Sequence, residues 1–314
     1  MSRRVAITGG FGYLGGRLAN FLPSTGYEVR ILANRAIATH PTWARDFDVC
    51  IADITDVKTL DRALEGCDMV VHLAAMNTVD CGRDPVKAER VNIEGTQNLV
   101  RSAGRSGIKC LIYVSTVHVY GSTVMGVLDE MSPTNNLHPY AKTHKAAEDV
   151  VRGTPGMDGI VLRVSNAVGP PMNASVNCWM LVANDLCRQV AELNRLVLRG
   201  DGTDLRDFIA ISEVLGGITH FLDSYHKGII EDLFNLVSGE VLSTYSLAKK
   251  VAERALLISG RYPKIECGDL SQSESKALYF SNERLECAGF TPSRDITNEI
   301  DTLLTFCFQN FKNA

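Results

Sequence analysis

The stretch Val5-Ala-Ile-Thr-Gly9-Gly-Phe-Gly12-Tyr-Leu-Gly15-Gly-Arg17 decides the fold of this chain. Val5 to Thr8 is a short β-type run, glycines at 9, 10, 12, 15 and 16 form a loop, and Arg17 to Leu22 continues helically before Pro23 and Gly26. A second β-type run, Glu28-Val-Arg-Ile-Leu32, follows, so the segment reads as a β-α-β unit with glycines at its first turn. Glycines there let the backbone turn tightly, let a pyrophosphate reach the helix N-terminus and let that helix pack on the sheet. The spacing of Gly9, Gly12 and Gly15 at this junction predicts dinucleotide binding.

Outward from this unit, Asp48–Ile51, Met69–Leu73, Cys110–Ser115 and Gly159–Val164 read as buried strands. They alternate with helical patterns at Val57–Leu64, Val86–Ala103 and Tyr140–Val151. Such alternation predicts an α/β fold with a doubly wound parallel sheet. After residue 165 the alternation weakens, and Pro170, Pro171 and Asn173 mark a break. The rest suits a smaller mixed α/β lobe closing over the carboxyl ends of the sheet. The expected division is a dinucleotide-binding domain of residues 1–165 plus roughly 206–238, and a substrate-binding lobe of 166–205 and 239–314.

Composition narrows the function. The 314 residues are 45% hydrophobic and 22% charged, as in soluble globular proteins, which excludes a largely disordered chain. Thirty-two Lys and Arg against 36 Asp and Glu, with no basic run, make nucleic acid an unexpected partner. No apolar stretch approaches the length of a membrane span, and the N-terminus lacks a signal-peptide core, so a cytoplasmic location with no membrane partner is expected. The nine cysteines stand singly without zinc-ligand spacing, so reduced thiols and no metal are expected.

The end of the second strand normally carries an acid for the adenosine 2′-hydroxyl of NAD. Here Ala33, Asn34 and Arg35 follow Leu32, and with no carboxylate to repel it a 2′-phosphate can be accommodated by Arg35. The cofactor is therefore NADP or NAD, with NADP favoured. Asp53 can accept from the adenine amino group, or serve only as a turn residue.

Taken together, Thr8 to Gly15, Ala52-Asp53-Ile54, His72-Leu73-Ala74-Ala75, Val91-Asn92-x-x-Gly95-Thr96, Val114-Ser-Thr116-x-x-Val-Tyr-Gly121 and Tyr140 resemble the extended short-chain dehydrogenase/reductases. Leu162-Arg-x-x-Asn166, Gly169-Pro170 and Gly200-Asp-Gly-Thr-x-x-Arg206-Asp-Phe-Ile209 extend the resemblance, which ends near Pro292. The pattern is most similar to the nucleotide-sugar epimerase/dehydratase group, which includes UDP-galactose 4-epimerase. The resemblance implies a Rossmann domain, a nucleotide-diphosphate sugar as substrate and hydride transfer at a sugar carbon. It also implies a homodimer through the helices Val86–Ala103 and Tyr140–Val151.

Residue by residue, the resemblance places Gly9, Gly12, Tyr13, Leu14, Gly15, Asn34, Arg35, Asp53, Ile54, Leu73, Ala74, Ala75, Asn92, Tyr140 and His144 at the cofactor. It makes Tyr140 the catalytic acid/base and Thr116 its hydrogen-bonding partner, and it places Thr78, Thr116, Asn166, Arg206 and Lys276 at the substrate. Arg206 suits a diphosphate because its planar fork donates two parallel bonds; without the resemblance, Arg206 and Asp207 read as an ordinary ion pair. Lys276 stands in the region where many relatives carry Arg.

The chain departs from the family in two places. Four residues after Tyr140, where the family has a Lys that lowers the phenol pKa, stands His144, with Lys145 one place later. Three readings remain: His144 takes the catalytic role as a weaker cation and ribose donor, a one-residue helix bulge returns Lys145 to the site, or the chain binds cofactor but catalyses poorly, which also motivates the rival reading of a non-catalytic dinucleotide-binding sensor. If His144 supplies the cation, activity should fall at mildly alkaline pH. Secondly, the Asp-Glu pair of the 4,6-dehydratases is replaced by Val117-His118, which favours an epimerase or keto-sugar reductase and leaves the 4,6-dehydratase as an alternative.

Overall fold

The computed structural model describes residues 3–34, 40–121, 125–135, 137–225, 232–268 and 277–311. The chain divides into two compact units. The first comprises Met1–Thr123, Glu130–Val164 and Leu215–Asn235, and the second Val124–Asp129, Ser165–Val214 and Leu236–Ala314.

In the first unit lie the strands β1 (Arg3–Thr8), β2 (Tyr27–Ala33), β3 (Asp48–Ile51), β4 (Met69–His72), β5 (Cys110–Thr116), β6 (Asp158–Val164) and β7 (Leu233–Leu236). They form one seven-stranded sheet in the order β7-β6-β5-β4-β1-β2-β3. The pairs from β3 through to β6 are parallel. The central strands are continuous apolar runs because helices cover both faces: Val5, Ile7, Val70, Val71, Leu111 and Leu162 are fully buried. Strand order reverses between β1 and β4, and a doubly wound sheet offers its ligand crevice at the carboxyl ends beside that switch point.

The helix Val57–Leu64 begins where Asp56 caps it by accepting from the Lys58 backbone N–H at 3.0 Å. The pattern expected as a single helix over Val86–Ala103 has three parts: a turn of α-helix at Pro85–Ala88, a π-helical turn at Glu89–Glu94 and an α-helix at Gly95–Arg105. The π turn buries Asn92.

In the second unit, Leu205–Ala210 is the middle strand of a three-stranded sheet, between Val241–Ser243 and Asn166–Val168. The sequence-based division put this strand with the first domain. Its two hydrogen-bonded neighbours hold it in the second unit, and only Leu215–Asn235 returns to the first. Helices Val182–Leu193, Thr244–Ser259 and Thr297–Asn310 pack on a separate core that includes Leu186, Phe208, Leu247, Val251, Ile300 and Leu304. Among the described residues no helix is long and apolar enough to cross a membrane.

Candidate active site

The glycine loop follows β1. Gly9 has φ +67°, and a Cβ there would lie 2.9 Å from the Ala74 nitrogen, so both conformation and space demand glycine. A Cβ on Gly15 would lie 2.2 Å from the Gly9 carbonyl oxygen. The helix Tyr13–Phe21 thus starts inside the glycine run, earlier than the sequence suggested. No side chain caps its N-terminus and no acid lies in its first turn, an arrangement that suits an anion. These residues fit the pyrophosphate of a dinucleotide.

Around that cradle the polar groups are tied to one another. Thr8 Oγ1 accepts from the backbone N–H groups of Leu73 and Ala74, each at 3.1 Å, and meets His72 Nδ1 at 2.7 Å. With two N–H groups pointing at it, the Thr8 hydroxyl donates to Nδ1, which puts the His72 proton on Nε2, where Thr96 Oγ1 accepts it at 3.0 Å. The Thr96 hydroxyl in turn donates to the Asn92 carbonyl. His72 is a fully satisfied neutral imidazole, and burial, with the neighbouring His144 adding to it, pushes its pKa down to about 3.

Asn92, expected at the cofactor, spends its side chain on the protein. Its Oδ1 accepts from Met76 N at 2.9 Å, and its amide donates to Thr143 Oγ1 at 2.9 Å and to Cys81 Sγ at 3.8 Å. Asp53 Oδ1 accepts from both the backbone N–H and the hydroxyl of Thr55. That is the turn role; the carboxylate is nonetheless exposed at the end of β3. Ile54 is buried against the Gly95 backbone, Ala75, Thr78 and Asn34 are exposed, and Arg35 lies outside the described residues.

Tyr140 sits in the first turn of the helix Pro139–Arg152, and Thr116 ends β5. Burial raises the Tyr140 phenol to about 12, with the neighbouring Thr116 hydroxyl opposing that rise. Thr116 also caps the turn Val117–Val119 by accepting from His118 N at 3.2 Å. The His118 ring lies 6.3 Å from that of Tyr140.

Position 144 corrects the sequence reading. The Tyr140 and His144 rings meet edge-on with centroids 4.4 Å apart, as the i,i+4 spacing requires. His144 is only 4% exposed, and its pKa is pushed down to about 3 by burial, with His118 adding to it. It is therefore a neutral imidazole near neutrality, and it is not the missing cation. Lys145 does not replace it either. The helix is a regular α-helix through this point, and the Lys145 ammonium pairs with Asp149 one turn on, at the half-exposed surface.

Three side chains that the sequence reading missed, Tyr113, Ser115 and Arg163, hold this helix. Tyr113 on β5 meets His144 Nδ1 at 2.7 Å. Ser115, two residues along the same strand, donates to Glu148 at 2.6 Å, and Arg163 on β6 grips Glu148 through two bonds of 2.9 and 2.7 Å. Alternate residues of a strand thereby meet residues one helical turn apart, a matching of spacings that is readable in the sequence once strand and helix are known to pack.

In the second unit, Asp207 is fully buried and accepts from Ser165, from the Ser238 backbone and hydroxyl, and from Gly239 N. It is not the ion-pair partner of Arg206. Arg206 instead lies 3.9 Å from exposed Asp204 and is one-third exposed. Asn166 donates to the Asp207 carbonyl at 2.8 Å. Lys276 lies outside the described residues. Among the described residues no cluster of His, Cys, Asp or Glu could hold a metal ion.

A glycine cradle at the switch point of a parallel sheet, with Thr116 and Tyr140 on the neighbouring strand and helix, defines a Rossmann fold with a place for a dinucleotide. Residues 5–236 match the model of the NAD dependent epimerase/dehydratase family, and the chain belongs to that family, which makes it an enzyme of the extended short-chain dehydrogenase/reductase type. It is 26% identical to UDP-glucose 4-epimerase of Halalkalibacterium halodurans over 301 residues, covering 90% of this chain and 88% of that one. It is 28% identical to dTDP-glucose 4,6-dehydratase of Streptomyces niveus over 265 residues, covering 79% and 76%. The fold resembles that of RMD from Pseudomonas aeruginosa complexed with NADPH, with a TM-score of 0.78, 24% identity and coverage of 98% and 99%.

Proposed function

We propose that the protein is an NAD(P)-dependent nucleotide-sugar epimerase or keto-sugar reductase with Tyr140 as acid/base. The observation that carries this reading is the placement of Tyr140, in the first turn of the helix Pro139–Arg152, beside Thr116 at the end of β5. A nicotinamide dinucleotide held at Gly9, Gly12 and Gly15 supplies the hydride acceptor or donor. Tyr140 Oη, as the phenolate, takes the proton from a sugar hydroxyl on oxidation and, as the phenol, returns it on reduction, while Thr116 Oγ1 orients the same oxygen. Asn166 and Arg206 serve the sugar and its diphosphate in this reading, and the names of the relatives, acting on UDP-glucose and dTDP-glucose, support that substrate class.

Val117 is buried and carries no proton, and His118 is the single titratable side chain of its turn, which weighs against the paired acid and base of a dehydratase. The absence of a carboxylate at Ala33 and Asn34 supports NADP over NAD. A homodimer and a cytoplasmic location belong to the same reading; Val86, an apolar side chain 77% exposed, supports a contact there.

The test is incubation of the purified protein with NAD(H) or NADP(H) and a panel of UDP- and dTDP-sugars. NMR of the sugar reads epimerisation, and absorbance of the reduced nicotinamide reads net reduction. Tight cofactor binding with no turnover of any sugar would replace this reading with a dinucleotide-binding sensor, and formation of a 4-keto-6-deoxy product would replace it with the dehydratase.

A further inference from the structure

We propose that Tyr113 is a positioning residue that holds His144 in its Nε2–H form, so that the helix position beside Tyr140 presents a neutral hydrogen-bond donor to the bound cofactor in place of a cation. The proposal rests on the cofactor assignment above and deepens it.

The tautomer follows from counting protons. Tyr113 Oη and His144 Nδ1 lie 2.7 Å apart, and both side chains are buried. If the phenol donates to Nδ1, both atoms are satisfied and the single ring proton sits on Nε2. In the opposite arrangement the ring proton sits on Nδ1, and the phenol proton must find another acceptor. Tyr113 makes no second hydrogen bond among the described residues, so that arrangement strands two buried polar groups, the phenol O–H and a bare Nε2. The first strands one.

The phenol is held in place by its neighbours. The Tyr113 ring is flanked by His72 at 5.3 Å and His144 at 5.9 Å between centroids. His72 cannot relay a proton, because Thr8 and Thr96 occupy both its nitrogens. Of the other titratable groups near His144 and Tyr113, Glu148 is bound to Arg163 and Ser115, Cys81 contacts Asn92, and His118 and Tyr140 face the site.

His144 Nε2 is the atom left over. It is buried, has no partner among the described residues, and belongs to a ring in contact with Tyr140. A buried N–H without an acceptor is rare in folded proteins and calls for a partner; beside Tyr140, a ligand oxygen would supply it. A neutral N–H suits an uncharged acceptor such as a hydroxyl of the dinucleotide. Unlike an ammonium, it places no full charge beside the phenol, which accords with a Tyr140 phenol raised rather than lowered.

The experiment uses full-length protein labelled with ¹⁵N at histidine, with His144→Gln to assign the signal. The expected spectrum shows His144 with Nε2 protonated and Nδ1 unprotonated and accepting, unchanged between about pH 6 and 8. Saturation with NADPH or NADH should move the Nε2 signal and leave His72 in place. Tyr113→Phe should admit the Nδ1–H form and weaken cofactor binding roughly fivefold by calorimetry, the worth of one neutral hydrogen bond. A protonated Nδ1 or an imidazolium in the wild-type protein overturns the tautomer. An Nε2 signal unmoved by saturating cofactor overturns the ligand contact, and that readout stands even if Tyr113→Phe fails to fold. A protein that binds neither cofactor removes the ligand together with the proposed function, while its wild-type spectrum still reports the tautomer separately.

Discussion

Two buried histidines lie on either side of Tyr113 and share nearly everything. Both accept a hydroxyl at Nδ1, at 2.7 Å in each case, and both are pushed down to about 3. They differ at Nε2, which Thr96 satisfies on His72 and which no described residue satisfies on His144. His72 ties β4 to β1 and the Gly95–Arg105 helix, and its hydrogen bonds are complete without a ligand. His144 is complete only when something else arrives. Burial and low pKa, taken alone, therefore do not distinguish structure from function; the unpaired donor does.

The sharpest break of this comparison should come beside the unpaired nitrogen. Tyr140→Phe is expected to lower turnover by about 100-fold or more with cofactor affinity nearly unchanged, because it deletes the proton relay and no major binding contact. Steady-state kinetics with calorimetry checks both halves. On the structural side, Glu148→Ala strips the partner from buried Arg163 and should cost about 3–5 kcal/mol in denaturant unfolding, far more than any change at the surface. Thr96→Val turns His72 into a second histidine with an unpaired Nε2. It should cost about 1–3 kcal/mol of stability and gain no function.

Acid should affect the two histidines alike. Their folded pKa values lie below the unfolded value of about 6.5, so the unfolded chain binds more protons as pH falls. Stability is fully present above that value and is lost on acidification towards about pH 3, by roughly 1.4 kcal/mol per pH unit for each histidine. Replacing His144 with Gln should remove its share of the slope between about pH 6 and 4, as urea unfolding at several pH values would show. The smallest effect belongs to Lys145→Ala. Its pair with Asp149 is partly exposed, so stability should change by less than about 1 kcal/mol and turnover should stay put.

How much of this was legible in the sequence varies with the range of the interaction. The helix Val57–Leu64 stands where local spacing put it, and the glycine junction follows β1 as expected, although its helix begins at Tyr13 rather than at Arg17. The π turn at Glu89–Glu94 did not show, because its apolar spacing over a few residues is indistinguishable from that of an α-helix. The affiliation of Leu205–Ala210 was misread because it depends on pairing with Asn166–Val168 and Val241–Ser243, distant in sequence. At the site, Tyr140 and Thr116 were proposed from the motif. The state of His144 was not, because its neutrality depends on burial and on the reach of Tyr113 from another element.

The central claim is a tyrosine acid/base working without a neighbouring cation, and the most direct test is the pH dependence of hydride transfer in the oxidising direction, measured in a single turnover with the wild-type protein and with Tyr140→Phe as the blank. With a neutral His144 and a phenol raised to about 12, the rate should climb close to tenfold per pH unit and still be rising at about pH 9. A plateau reached near neutrality, or the fall at mildly alkaline pH expected of an imidazolium partner, would contradict the account.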